Sequence, residues 1–147
     1  MPLFKDQMAK GIITITDERM TRFWMTLQQG VEFVINCIGN MHGGEIFVPK
    51  IPSMKVVDLS RVIAPRCKIK YIGIRPGEKI HEVLLTEDEA RHSFEFKDFF
   101  VIKPKHYWWK TGNWKGGKGL SEGFRYTSDK NHRWLTGSEL KKMASNI

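Results

Sequence analysis

The 147-residue sequence predicts an α/β fold, on three observations. Apolar residues recur at helical spacing in Val31, Val34, Ile35 and Ile38. They cluster or alternate as strands do in Ile46-Phe47-Val48 and in Lys68 to Ile74. Gly or Pro separates the segments where the period changes, and strands interleaved with helices indicate an α/β chain rather than an all-helical or all-β one.

Each element has its own local signal. Thr26 and Gln29 form a T-x-x-Q capping pattern ahead of Val31, which predicts an amphipathic helix over about 27–39. His42-Gly43-Gly44 ends it, and the apolar run Ile46-Phe47-Val48, closed by Pro49, reads as a short buried strand. Ser53 is the expected cap of a second helix whose Leu59, Val62 and Ile63 share a face, with Pro65 just past its end. Lys68 to Ile74 alternates as a half-buried strand and delivers the chain to Arg75-Pro76-Gly77-Glu78, after which a third helix is expected over about 78–85. Thr86 and Glu89 make another capping box, and Phe94 to Ile102 reads as one or two β segments. Residues 103–123 have no period and are rich in Gly, Lys and Trp, as a long loop or insertion is. Leu135 and Leu140 bracket a Thr136…Glu139 capping box, the staple that starts a final short helix. The expected organisation is an α/β region over 1–102, a basic loop over 103–123 and a tail over 124–147.

Composition narrows the class of protein. With 41% hydrophobic and 12% aromatic residues, the chain has apolar material for one compact domain of ordinary size. No run approaches the roughly 18 consecutive apolar residues of a membrane span, and the opening MPLFKDQMAKG lacks the apolar core of a signal peptide, so a cytoplasmic chain without a membrane span is expected. Cys37 and Cys67 are isolated from any zinc-type spacing and read as free core thiols, with no metal site expected. A net charge of +8 suits nucleic acid, an anionic surface or an anionic small molecule alike. Lys103, Lys105, Lys110, Lys115 and Lys118 share an acid-free stretch with Tyr107, Trp108, Trp109 and Trp114. Such interleaving suits single-strand binding, a subunit contact or an idiosyncratic surface loop, with nucleic acid the least favoured of the three.

The most informative segment is Ile72 to Lys79. A strand that ends in Arg, turns through Pro-Gly and restarts at Glu aims a guanidinium and a carboxylate beyond the strand's C-terminal end. There a guanidinium can grip a diphosphate bidentately and a carboxylate can accept hydrogen bonds from ribose hydroxyls. Taken alone, the four residues fit a surface Arg–Glu pair at a turn at least as well. Two other strings are chance matches. Tyr126 to Lys130 spells Y-x-x-x-K in the tail, and Gly112 to Gly119 spells a P-loop whose final magnesium-binding hydroxyl is replaced by Gly119.

Several blocks in order carry a resemblance: Pro2-Leu3-Phe4-Lys5, Ile15 to Trp24, His42 to Lys55, the Arg-Pro-Gly-Glu turn, and His81-Glu82, with a looser match at Phe124 to Asp129 and Trp134-Leu135. In these the sequence resembles the extended short-chain dehydrogenase/reductases, and within them the UDP-N-acetylglucosamine 4,6-dehydratases of polysaccharide biosynthesis. The resemblance implies the substrate-binding C-terminal portion of that fold, with a UDP-sugar as ligand. It places Arg22, Arg75 and Glu78 on the phosphates and ribose, and Thr14, Ile15 and Thr16 beside the uracil. Lys5 and Lys50 are expected to be solvated, Met54 to lie in the core, and His81 and Glu82 to lie on a helix surface or a domain contact.

The family's Gly-rich loop and upstream Thr/Tyr-x-x-x-Lys set do not occur in this sequence, so no catalytic or cofactor-binding residue is expected in it. NADP is expected on a separate N-terminal half. Because the helix and strand matching 27–48 pack on the Rossmann sheet in that family, Val31, Ile35, Ile38 and Phe47 are expected to lack a cover. Self-association as a homo-oligomer, or assembly with a Rossmann-bearing half, is the expected consequence. The alternatives are a non-catalytic module that binds nucleic acid or an anionic polymer through 103–118, and a structural subunit of a sugar-modifying assembly.

Overall fold

A computed structural model describes residues 2–104 and 114–145. In chain order the elements are α1 (Pro2–Ala9), β1 (Ile12–Ile15), β2 (Thr21–Phe23), α2 (Leu27–Asn40), β3 (Ile46–Pro49), β4 (Ser53–Lys55), α3 (Val56–Ile63), β5 (Lys68–Tyr71), β6 (Val83–Leu85), α4 (Glu87–Ala90), β7 (Ser93–Glu95), β8 (Phe99–Ile102), β9 (Lys118–Gly119), β10 (Tyr126–Thr127) and α5 (Gly137–Ser145). They form two compact units, one from Met1–Trp24, Pro52–Glu82 and Ser128–Ile147, the other from Met25–Ile51 and Val83–Thr127. Residues 1–102 therefore contribute to both units.

In the first unit β1 runs parallel to β5, with Ile12 opposite Lys68 and Ile15 opposite Tyr71. The period of two in β1 sends Ile13 and Ile15 into the core, where Val57 and Ala64 meet them and Phe4, Ile63, Cys67 and Ile69 close the cluster. A second cluster joins Met54, Leu59 and Leu140, with Trp24, Val62 and Leu135 against it. The expected capping box at the last helix forms, with Thr136 N–H donating to Glu139 at 2.8 Å and Glu139 N–H to the Thr136 hydroxyl at 3.3 Å, and Leu135 packs against the cluster that contains Leu140.

The cap expected at Ser53 does not form. Ser53 is a fully buried residue of β4, its N–H donating to the Arg133 carbonyl at 2.8 Å and its hydroxyl accepting from the Asn131 amide at 3.0 Å. With that hydroxyl engaged elsewhere, α3 starts three residues later behind Lys55, without a side-chain cap. The helix expected over about 78–85 is also absent. Residues 75–82 are a turn and irregular chain, and Val83–Leu85 is the strand β6, antiparallel to β10. The side chains of Glu78, His81 and Glu82 bond to β1, β2 and their flanks, and these long-range contacts outweigh a local helix of about two turns.

The second unit contains the four-stranded antiparallel sheet β3-β8-β7-β9 and the helix α2. Thr26 and Gln29 cap α2 reciprocally, as expected. The box at Thr86 and Glu89 likewise starts α4. No side chain of α2 is buried, and Leu27, Val31, Val34, Ile35, Ile38 and Met41 are 46–87% exposed. Phe47, expected to lack a cover, instead packs on Phe99 and Trp114 at centroid distances of 5.6 and 5.3 Å. Of the apolar run in β3, only Val48 is buried; Ile46, on the same face at the start of the strand, is left 60% exposed, and Phe47 on the other face is partly buried. The two cysteines are free and partly buried rather than fully in the core. Among the described residues, no helix is long and apolar enough to cross a membrane.

Candidate functional site

The parallel pairing of β1 and β5 brings their C-terminal ends together, so the residues that leave each strand meet. Thr16 leaves β1, and its hydroxyl donates to Glu78 Oε1 at 3.1 Å. Arg75 to Glu78 lies beyond β5 and closes a β-turn in which Glu78 N–H donates to the Arg75 carbonyl at 3.0 Å. Pro76 occupies the second position and Gly77, at φ +80°, the third, the pattern of a type II turn. The turn folds the Glu78 carboxylate back so that Oε2 accepts from the Arg75 N–H at 3.3 Å. Both carboxylate oxygens are thus oriented, while the Arg75 guanidinium is exposed and makes no hydrogen bond or ion pair among the described residues.

Arg22, on β2, is differently placed. Its Nη1 donates to the carbonyls of Thr21 and Ile80 at 2.8 and 3.0 Å, its Nη2 donates to the Lys79 carbonyl at 3.0 Å, and its Nε lies 3.2 Å from the Glu82 carboxylate. Thr21 N–H donates to the Ile80 carbonyl at 3.0 Å. The Thr21 hydroxyl lies 2.8 Å from His81 Nδ1 and 2.6 Å from the Ser128 hydroxyl, and Ser128 accepts from Glu82 N–H at 2.9 Å. His81 and Glu82 are therefore anchors of an irregular segment, in place of the helix surface expected for them.

The three residues expected beside a base divide. Thr16 is bonded to Glu78. Thr14 faces α1, its N–H donating to Gln7 Oε1 at 2.9 Å and its hydroxyl accepting from Gln7 Nε2 at 2.6 Å. The Ile15 side chain is core, and its carbonyl accepts from Ile72 N–H at 3.0 Å. Next to Thr16, Arg19 grips Asp17 through two hydrogen bonds of 2.8 and 2.9 Å, and these bonds hold the Asp17 carboxyl down at about 2.

Sequence reasoning singled out neither Thr21 nor Ser128. Both fall inside blocks that carry the resemblance, but a lone Thr or Ser has no spacing that reveals a partner 107 positions away. The remaining candidates take structural places. Met54 is core, as expected. Lys50 is partly buried and bonded rather than freely solvated: it donates to Glu95 at 2.7 Å and to the Phe96 carbonyl at 2.6 Å. The side chain of Lys5 lies outside the described residues. Tyr126 accepts from Ile51 N–H at 2.9 Å and donates to the Ile51 carbonyl at 2.8 Å, so its hydroxyl is a buried backbone clamp. Trp114 is buried against Phe47, Phe96 and Phe99, and Lys103 sits over the Phe94 ring. Lys105, Tyr107, Trp108, Trp109 and Lys110 lie outside the described residues. Among the described residues, no group of three or more His, Cys, Asp or Glu could hold a metal ion.

The first unit has a parallel strand pair with an Arg-Pro-Gly-Glu turn at the strand ends, and the similarities that follow place the chain in the extended short-chain dehydrogenase/reductase class. The chain belongs to the polysaccharide biosynthesis protein family, whose pattern it matches over residues 1–104. It is 42% identical over 149 aligned residues to a UDP-N-acetylglucosamine 4,6-dehydratase (inverting) of Campylobacter jejuni, a match that takes in 95% of this chain and 45% of the relative. It is 34% identical to a UDP-glucose 4-epimerase of Rickettsia conorii, over 69% of this chain and 31% of the relative. The X-ray structure of Pen from Bacillus thuringiensis superposes with a TM-score of 0.80 and 35% identity, over 99% of this chain and 44% of that one. The chain thus spans a little under half the length of the dehydratase.

Proposed function

We propose that this chain is the UDP-sugar-binding portion of a nucleotide-sugar biosynthesis protein of the UDP-N-acetylglucosamine 4,6-dehydratase kind. The observation that carries the reading is the turn at the strand ends: a carboxylate held by Thr16 and the Arg75 N–H, in a turn whose exposed Arg75 guanidinium has no hydrogen-bond or ion-pair partner among the described residues. The Arg75 fork has the geometry to grip a diphosphate bidentately. Glu78, with lone pairs remaining on both oxygens, accepts from ribose hydroxyls, and the Thr16 end of β1 reads the base edge. Orientation of the UDP end gives binding energy that speeds chemistry only where catalytic groups are present to use it.

A dinucleotide does not fit the described residues. The turn that follows β1 carries Asp17 and Glu18 where a diphosphate requires a glycine-rich cradle, and no helix follows to point its N-terminus at the phosphates. NADP belongs, on this reading, to a Rossmann-bearing half. The uncovered face of α2 is the surface on which that half, or a second copy of the chain, would pack, and the working compartment is the cytoplasm.

The test is an NMR titration of the whole chain with UDP and with UDP-N-acetylglucosamine. Shifts confined to residues 14–16 and 75–78 are expected, with affinity falling about tenfold or more in Arg75→Ala, as for loss of a charge-assisted contact. No response of the unaltered protein to millimolar amounts of either nucleotide would overturn the proposal.

A further inference from the structure

Thr21, His81 and Ser128 form a short polar chain inside the first unit. The Thr21 hydroxyl lies 2.8 Å from His81 Nδ1 and 2.6 Å from the Ser128 hydroxyl, and Ser128 in turn accepts from the Glu82 N–H at 2.9 Å. Thr21 is 4% exposed and Ser128 0%, so both hydroxyls are closed to water. Among the described residues, the two hydroxyls have only each other and the His81 ring as acceptors for their hydrogens.

Counting those hydrogens decides the state of the ring. Each hydroxyl brings one. Two hydrogens fill the two links only if Ser128 donates to Thr21 and Thr21 donates to His81 Nδ1. Nδ1 is then bare, and the ring's own hydrogen sits on Nε2. A hydrogen on Nδ1 makes three for two links. Whichever way the hydroxyls turn, one of the three then has no acceptor, in a place that water does not reach. The ring belongs to the chain just past Glu78, which has neither helix nor strand before β6. Its other ties are the Ile80 carbonyl to Thr21 N–H, the Arg22 bonds to the Lys79 and Ile80 carbonyls, and Glu82 to Ser128. The surrounding elements bring charge as well: Asp17 ahead of β2, Arg22 on β2, Asp129 after Ser128, and Glu78, Lys79 and Glu82 on the ring's own segment. The Asp17 carboxyl, held down chiefly by Arg19, is also drawn down by a charge on His81. Asp17 thus attracts a proton to a ring whose hydroxyl partners have no place for it.

We propose that Ser128 and Thr21 hold His81 as its neutral Nε2–H tautomer, and that a proton added at Nδ1 breaks this link and loosens the chain that carries Glu78. His81 is on this view a positioning residue, acting through the segment and not on a ligand. The inference rests on the nucleotide-binding reading where it concerns affinity, and on the hydrogen count alone where it concerns the ring.

The experiment is imidazole nitrogen NMR on the whole chain, which distinguishes the two tautomers, with amide hydrogen exchange over 80–82 across the titration of the ring. The neutral ring of the unaltered chain is expected as Nε2–H alone. Thr21→Val, which keeps the shape but not the hydroxyl, should give a mixture, and Thr21→Ser should restore the single form. As the ring takes up its second hydrogen, protection at 80–82, corrected for the intrinsic effect of pH, is expected to fall about tenfold. His81→Asn has a side-chain oxygen to accept from Thr21 in place of Nδ1 and takes up no proton, so its protection should not fall. UDP affinity should follow protection in both proteins. An Nδ1–H or mixed tautomer in the unaltered chain would overturn the proposal, as would protection that ignores the charge on the ring or falls equally in His81→Asn. If the unaltered chain binds no UDP at any pH, the nucleotide reading fails, and the ring and exchange measurements still decide this one.

Discussion

Helix α2 and the segment Arg75 to Glu82 are opposites. The helix is complete in itself: a reciprocal cap at Thr26 and Gln29 starts it, and its backbone bonds are internal. What it lacks is a cover, since five of its large apolar side chains and that of the adjoining Met41 are 46–87% exposed within the described structure. The 75–82 segment has almost no internal bonds, yet its polar groups are tied to β1, β2 and Ser128. An element held by its own backbone is specified locally and leaves its side chains available to something else. An element held by distant side chains is shaped by them, and its conformation is itself the product of the fold.

The largest expected effect that sharpens this contrast is at Gly77. Its φ of +80° is the left-handed value that the third position of the turn requires, and a Cβ there would meet nothing within 4 Å. Gly77→Ala therefore tests backbone conformation without a clash, and about 1–2 kcal/mol of stability is expected to be lost. Chemical denaturation measures it. A loss no greater than that of an exposed helix substitution would show that the turn relaxes to another type, and that the orientation of Glu78 is not fixed by it.

At α2 the expectation is reversed. Ile35 is 62% exposed, so Ile35→Gln should change stability by no more than about 0.5 kcal/mol. Its effect is expected in association: sedimentation velocity over a range of concentrations should show the unaltered chain self-associating and the variant less so, because an uncovered apolar stripe is removed from water only by a partner. A monomer at every concentration in both would break the contrast, by showing that the stripe is tolerated bare.

The same contrast explains what was legible in the sequence. Helix α2, the boxes at Thr86 and Thr136, and strands β3, β7 and β8 could be read because each signal lies within a few residues of the structure it causes. The Arg-Pro-Gly-Glu turn was legible too, since Pro and Gly dictate its φ values locally. The helix expected at 78–85 and the cap expected at Ser53 fail for one reason. Glu78, His81, Glu82 and Ser53 are bonded to Thr16, Thr21, Arg22 and Asn131, and nothing in their own neighbourhood records those partners. For the site, the family resemblance pointed to Thr14, Ile15, Thr16, Arg22, Arg75 and Glu78, of which the fold bonds Thr16 and the Arg75 N–H to the Glu78 carboxylate. Ser128 was out of reach because a buried hydroxyl in a distant segment leaves no periodic or spacing mark.

The smallest effect lies at the edge of the site, where the turn after Thr16 is held by a pair two residues apart. The Arg19 hydrogen bonds lower the Asp17 carboxyl from its ordinary 3.8 to about 2. The folded value lies below the unfolded one, so the stabilisation is complete above about pH 4 and is lost as pH falls from there toward 2. Arg19 is 63% exposed, so the contribution is small and shrinks with added salt. Glu139, drawn down to about 2 by Arg133, titrates in the same window at the start of α5, so acid unfolding of the whole chain reports both groups. Asp17→Asn separates them: the variant should lose only part of the dependence of stability between pH 4 and 2, and NMR should follow the Asp17 carboxyl itself. A carboxyl that titrates near 3.8 would show that the pair with Arg19 does not persist in solution, and that the turn beside Thr16 is set by the backbone alone.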